Sequence, residues 1–269
     1  MGRATITGGA MLGLAALAIF AGEKKRPLRG ATQPVARRAA INVALGAIAT
    51  ATMAAVEGPG SRALARRAER RRAGLAQRVP GGPLMRDAAA VLLLDYTIYL
   101  WHVATHKIPF LWRLHLVHHV DLDLDSTTAL RFHAADMVVS APVRWAQVLV
   151  AGASPRALAV WQGWFFFSVL FHHSDLRLPE RWERRLAWLV TTPRMHGIHH
   201  SAVRDRTDSN WSSGFSVWDR LHGTFRLDVP QERDRMGVPA YRDPAELGLR
   251  RSLVMPFGRE RDAWKPLTA

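Results

Sequence analysis

AAAVLLLDYTIYLWHVATH, residues 88–106, is apolar over most of its first fourteen positions and then presents His102 and His106 four residues apart. On a helix that spacing puts both imidazoles on one face. An apolar helix that ends in metal-ligating side chains decides the fold. It places the chemistry at one end of a bundle of apolar helices rather than in its middle.

The arrangement recurs downstream. Met137–Ala151 and Ala157–Phe171 are apolar runs joined by Gly152–Pro155, a hairpin-length turn, and the second run ends in His172 and His173. The first run leaves the histidine face and the second returns to it, so the imidazoles of residues 102–106 and 172–173 meet on one side. From Leu176 onward the chain is too polar to cross a bilayer again and forms a cap over that side.

Upstream, Ala4–Ala21 is uncharged for about the length of a bilayer core and is followed by Lys24, Lys25 and Arg26. With only Arg3 before it, this reads as a retained transmembrane helix, not a cleaved signal. Ala39–Val56 is a second, alanine-rich run that spans or forms a shallow hairpin with the first. Ser61–Arg78 is strongly basic and reads either as a helix on the membrane surface or as a solvated loop. Pro80, Gly81, Gly82 and Pro83 then break the chain. The expected fold is an all-α integral membrane bundle of about four to five membrane helices, with a cytoplasmic cap of helices and loops that carries the histidines. The expected divisions are N-terminal helices and basic linker over 1–83, the histidine-bearing bundle over 84–225, and a polar tail over 226–269.

The net charge of +15 rests on 37 basic residues, of which four are lysine. Arginines in one stripe would suggest nucleic acid. Here they fall in blocks between apolar runs, the pattern of membrane-helix flanks, so no nucleic-acid partner is expected. Such blocks lie on both sides of the second run and do not fix orientation. The histidine face is assigned to the cytoplasm, and the arginine bias points to a bacterial cell membrane. With no cysteine, disulfides and thiolate-held metals are excluded.

The chain has twelve histidines, most of them clustered. His115, His118 and His119 lie at i, i+3 and i+4, and His196, His199 and His200 repeat that spacing. One catalytic zinc uses three protein ligands and a structural zinc four, so this many converging imidazoles imply two metals. Neutral imidazole suits iron, zinc, copper and nickel alike. No H-E-x-x-H sequence is present, which rules out that zinc-protease reading.

HVATH (102–106), HLVHH (115–119), FHHSD (171–175), TPRMHGIHH (192–200) and NWSSGFSVWDRLHGTF (210–225) occur in this order. Together they resemble the fatty acid hydroxylase and sterol desaturase superfamily of membrane di-iron enzymes, over about Asp95–Phe225. The resemblance implies two iron ions, with zinc able to replace them during purification, and use of dioxygen and two electrons to hydroxylate or desaturate a sterol-like or fatty acyl lipid. It implies His102, His106, His115, His118, His119, His172, His196, His199 and His200 as metal ligands, with His173 able to substitute for its neighbour. RFHAAD (131–136) departs from the superfamily pattern in having Ala134 for proline and Asp136 for glutamate. Asp175, Trp211 with Ser212, and His222 also differ from the usual residues, which leaves the subfamily open.

Asp95, seven residues before His102 in an apolar run, is expected to support a ligand histidine. Asn210 is a candidate hydrogen-bond partner of a ligand histidine. Asp219 is expected to cap a turn or pair with an arginine, and His133 to be structural. Trp161, Trp164, Trp182 and Trp188 read as interface anchors. No reductase, flavin or haem motif is visible, so a separate electron donor, a ferredoxin or a cytochrome with its reductase, is expected. A carotenoid hydroxylase and a non-catalytic membrane metal-binding protein are the competing readings. Nearly charge-free spans argue against transport.

Overall fold

In the computed structural model, residues 3–231, 236–259 and 261–265 are described, with side chains from Leu12 onward. Among the described residues the chain is helical, with no strand and three isolated bridges, Pro27 to Leu176, Val190 to Phe215 and Ser201 to Met236. The long helices are α1 (Arg3–Lys25), α2 (Val35–Ala55), α3 (Glu57–Arg71), α4 (Pro83–Lys107), α5 (Pro109–His119), α6 (Ala134–Ala151) and α7 (Pro155–His173). Short helices follow in the cap: α8 (Glu180–Leu186), α9 (Pro193–His199), α10 (Arg204–Thr207), α11 (Val217–Leu221) and α12 (Leu249–Val254).

Among the described residues, two helices, α2 and α4, are long and apolar enough to cross a membrane. The first apolar run lies within α1, but its side chains before Leu12 fall outside the described residues. The basic stretch is not a loop: α3 is helical as far as Arg71, and Arg72 ends it in a left-handed conformation. Its buried side is Ser61, Ala65 and Ala68, small residues that let it lie close against α6. The Trp145 indole of α6 donates to the Glu57 carbonyl at 3.0 Å. A Cβ on Gly60 would fall 2.5 Å from that indole nitrogen, so glycine sets the approach.

The α6–α7 hairpin forms as its sequence dictates. Gly152 takes the left-handed C-cap at φ 70°, Ser154 Oγ accepts from Ala157 N at 3.0 Å, and Pro155 occupies the first turn. At this end Gly74 is backed directly onto Gly152. Ala65, Leu94, Ile98, Val148, Leu158 and Trp161 make the core between α3, α4, α6 and α7. Trp161 is 4% exposed, so it is a core residue rather than an interface anchor. Trp182 and Trp188 are exposed.

The C-terminal segment is more than a polar tail. Val238, Ala240, Tyr241, Leu247 and Ala263 pack on Leu116, Val120 and Leu122 beside α5. These apolar residues have neither helical nor strand period, so their sequence gave no sign of a core.

Candidate metal centre

α4 carries His102 and His106 to its C-terminal end. Ile108 then leaves helical geometry and Pro109 opens α5, which turns His115, His118 and His119 back toward them. α7 supplies His172 and His173 from its last turn. α9 begins with Thr192 as N-cap and Pro193 in the first turn, the Thr192 hydroxyl accepting from Met195 N, and it delivers His196, His199 and His200.

The imidazoles converge in groups. Ring nitrogens of His102, His106, His115 and His119 lie within 4.8 Å of one another, and so do those of His118, His173, His196 and His200. His119, His199 and His200 form a third such set that joins the two. The i+3 and i+4 positions of α5 diverge by about 100° around the helix, which is why His118 faces one group and His119 the other.

His172 is in none of these sets. Its Nδ1 is buried without a partner and its ring sits 4.0 Å from that of His196, where it lines the adjoining cavity. His173, the neighbour, is the residue whose nitrogen meets the others. Adjacent helical residues point about 100° apart, so only one of the two reaches each position.

Hydrogen bonds fix the tautomers. Nδ1 of His102, His118, His173 and His199 contacts the carbonyl oxygens of Trp211 (2.7 Å), Arg131 (3.3 Å), Val169 (2.8 Å) and Ser209 (3.0 Å). A carbonyl only accepts, so each ring donates from Nδ1 and keeps a lone pair on Nε2. His118 Nε2 and His173 Nε2 then face each other at 3.0 Å, and His173 Nε2 and His196 Nε2 also lie at 3.0 Å. Two inward lone pairs at that distance have no proton between them. A cation satisfies them. Buried nitrogens without hydrogen-bond partners on His106, His115, His119 and His199 make the same demand.

Burial, reinforced by the neighbouring imidazoles, holds His118, His119, His196 and His200 well below the usual histidine range. His199 is pulled down to about 3, chiefly by burial. These rings are therefore neutral at pH 7, the form that binds a metal. A group of four neutral nitrogens fits a borderline divalent ion such as iron or zinc. The donor set thus fits two metals.

The supporting residues differ from the expected ones. Asp95 touches no histidine: it accepts from Phe215 N (3.0 Å), Trp218 Nε1 (2.8 Å) and Trp164 Nε1 (3.2 Å). It shares a face with His102 but lies two turns, roughly 10 Å, away along α4. Its role is to bind the cap to the bundle, and Gly214 leaves room for it, since a Cβ there would fall 2.0 Å from Asp95 Oδ2. Asn210, left-handed at φ 52°, also misses the histidines. Its side chain joins Met195 O, Arg226 O and Arg226 N.

Asp219 caps a turn and pairs with no arginine among the described residues. It accepts from Trp211 N (2.8 Å), Ser212 N (3.0 Å) and the Thr224 hydroxyl (2.7 Å), and so holds the carbonyl that orients His102. Burial pushes its carboxyl up, against the pull of those hydrogen bonds. His133 is structural: its Nδ1 caps α6 by accepting from Ala135 N, and its Nε2 donates to Leu253 O. Asp136 lies 3.6 Å from His115 Nδ1, beside the clustered rings.

Sequence reasoning missed a buried polar belt behind the histidines. Asp121 accepts from Arg38, Asn42 and Thr128, Asp123 from Thr32 and Gln33, and Asp125 from Arg38 and Thr127. Arg131 donates to Val117 O, Asn42 and Ser252. Arg29 reaches Pro193 O and Ser174 O across Gly197, where a Cβ would collide with it. Burial draws the Arg29 guanidinium down to about 10, with Asp175 opposing that shift. The alternating acids of residues 121–125 were the available signal.

The comparisons agree with this geometry. The family model described as "Fatty acid hydroxylase" matches residues 88–224, just over half of the chain. Ornithine lipid hydroxylase OlsE of Rhizobium tropici is 27% identical over 63% of this chain and 50% of its own length. Alkylglycerol monooxygenase of Xenopus tropicalis is 26% identical over 52% of this chain and 29% of its own. A cholesterol 25-hydroxylase-like protein of Danio rerio is 29% identical over 52% and 55%. The chain thus spans half or less of the length of the first two relatives. No solved structure matches it significantly. With the family's region coinciding with the helices that deliver the imidazoles, the chain belongs to the fatty acid hydroxylase family.

Proposed function

We propose that this protein is a membrane di-iron oxygenase that hydroxylates a C–H bond of a lipid. The observation that carries the reading is the pair of four-imidazole groups, each able to hold one ion, at the end of a lipid-sized cavity. His102, His106, His115 and His119 would hold one iron, His118, His173, His196 and His200 the other, and His199 stands between them. Bound iron supplies the redox capacity to use dioxygen with two electrons from a separate ferredoxin or cytochrome.

The chain's own residues do the rest. A cavity of about 440 Å³ runs along the bundle from the histidines, walled by Met53, Ile98, Trp101, Met137, Trp161 and Phe165. Such walls orient an alkyl chain and exclude water. Relatives named hydroxylase or monooxygenase favour hydroxylation over desaturation, and their lipids range from ornithine lipid to alkylglycerol and cholesterol. Exposed Leu14 and Leu17 on α1, Val150 on α6 and Val160 on α7 support membrane contact by those helices as well as by α2 and α4. That gives five, with the cap on the cytoplasmic side of a bacterial cell membrane.

The test is reconstitution in liposomes with iron, ferredoxin, ferredoxin reductase and isotopically labelled dioxygen, offering ornithine lipid, an alkylglycerol and cholesterol. One labelled oxygen atom in a product alcohol supports the reading. Iron-loaded protein that labels none of the three contradicts it.

A further inference from the structure

The end of the cavity remote from the histidines is charged. Arg144 on α6 lines it, together with Glu57 and Arg62 where α2 turns into α3. The Nε atom of Arg144 is fully buried and has no hydrogen-bond partner, and its guanidinium forms no ion pair with any described residue. Its guanidinium lies over the Phe165 ring, 5.7 Å from the centroid. Glu57 is spent elsewhere, its carboxylate accepting from the Ser61 hydroxyl. Glu57 and Asp136 both attract Arg144 without bonding to it, and Arg62 adds a second cation at the mouth.

A buried guanidinium Nε–H with no acceptor is costly unless something pairs with it. Arginine's planar fork matches carboxylate and phosphate oxygens. The distance is also informative. Eight residues of α6 separate Arg144 from Asp136, which lies beside His115, so the pole stands about 12 Å from the metal groups along the bundle. Between the two ends the walls are apolar.

We infer that Arg144, with Arg62 at the mouth, binds the oxyanion of an amphiphilic substrate, a carboxylate or a phosphate, and thereby sets which carbon of its chain reaches the histidines. This rests on the lipid oxygenase reading for its consequence, while the binding itself does not. Residues 57 and 62 precede the region that matches the family, whereas Arg144 lies within it.

The test is binding of three amphiphiles of equal chain length, dodecanoate, dodecyl phosphate and dodecanol, to the full-length protein in a non-ionic detergent, read by native mass spectrometry. Iron content is measured on the same samples. The wild type is expected to prefer one or both anions to dodecanol by about tenfold or more, the scale of one charge-assisted hydrogen bond. Arg144→Met should abolish the preference without weakening dodecanol, and Arg144→Lys should restore part of it. Should Arg144→Met fail to fold, Arg62→Met on the surface should reduce the preference. Selection of dodecanoate alone identifies a free acid, and selection of dodecyl phosphate alone identifies a phosphate headgroup. Equal binding of dodecanol by the wild type, or an unchanged preference in the folded variants, overturns the proposal. Loss of iron with the preference intact would contradict the oxygenase reading and leave this one standing.

Discussion

The Nε2 atoms of His118 and His173 lie 3.0 Å apart while both Nδ1 protons are held by backbone carbonyls. Neither nitrogen has a proton to offer the other, so their approach is stable only around a cation. His172, one position away, has no such relationship. His173→Ala is therefore expected to lose about half of the bound metal, whereas His172→Ala keeps it. Metal analysis of the two purified variants settles the matter, and the reverse pattern would assign the ligand to His172.

Asp95→Ala should destabilise the protein without emptying the metal sites. Three part-buried N–H groups, from Phe215, Trp164 and Trp218, would lose their acceptor. Each such loss costs about 1–3 kcal/mol. A lower melting temperature at unchanged iron content is the expected result. Loss of iron from well-folded protein would return Asp95 to a role at the ligands.

Asp219→Ala acts through a different chain. It frees Trp211 N and Ser212 N, and the Trp211 carbonyl that orients His102 shifts with them. Loss of such outer partners typically weakens metal affinity by about 10–100-fold. A competitive chelator titration would show this, and unchanged affinity would make Asp219 purely structural.

Acid should destabilise the metal-free protein. The folded-state pKa of His118, His119, His196 and His200 is lowered, and that of His199 falls to about 3. The unfolded chain takes up protons near pH 6.5 that the folded chain refuses. Stability is therefore full above about pH 6.5 and falls as the pH drops below it, by about 1.4 kcal/mol per pH unit for each such histidine. Melting temperatures of the metal-free protein between pH 8 and pH 5 test this, and a flat profile would contradict it.

How legible was all this in the sequence? The apolar runs and histidine spacings were local signals, and they led to the helices, the hairpin and the convergence of His102, His106, His115, His118, His119, His196, His199 and His200. Local signals do not show which of two adjacent residues faces inward: His172 is expected at the ligand position with His173 able to substitute, and the nitrogen that meets the other imidazoles is that of His173. Nor do they show partners far apart in sequence. Arg38 with Asp121, and Arg29 with Pro193, are joined across 83 and 164 positions. Asp95 was read from periodicity alone, which gives the face but not the reach. The basic stretch is helical as far as Arg71 because its alanines and Ser61 pack on α6, a tertiary effect that composition does not encode.

On this reading the two groups of imidazoles hold two ions. Iron per chain, measured in detergent-purified protein beside His106→Ala and His118→Ala, tests it most directly. About two irons are expected in the wild type and a loss from each variant, since each substitution opens a different group. A single metal or none in the wild type, unchanged by both substitutions, would contradict it.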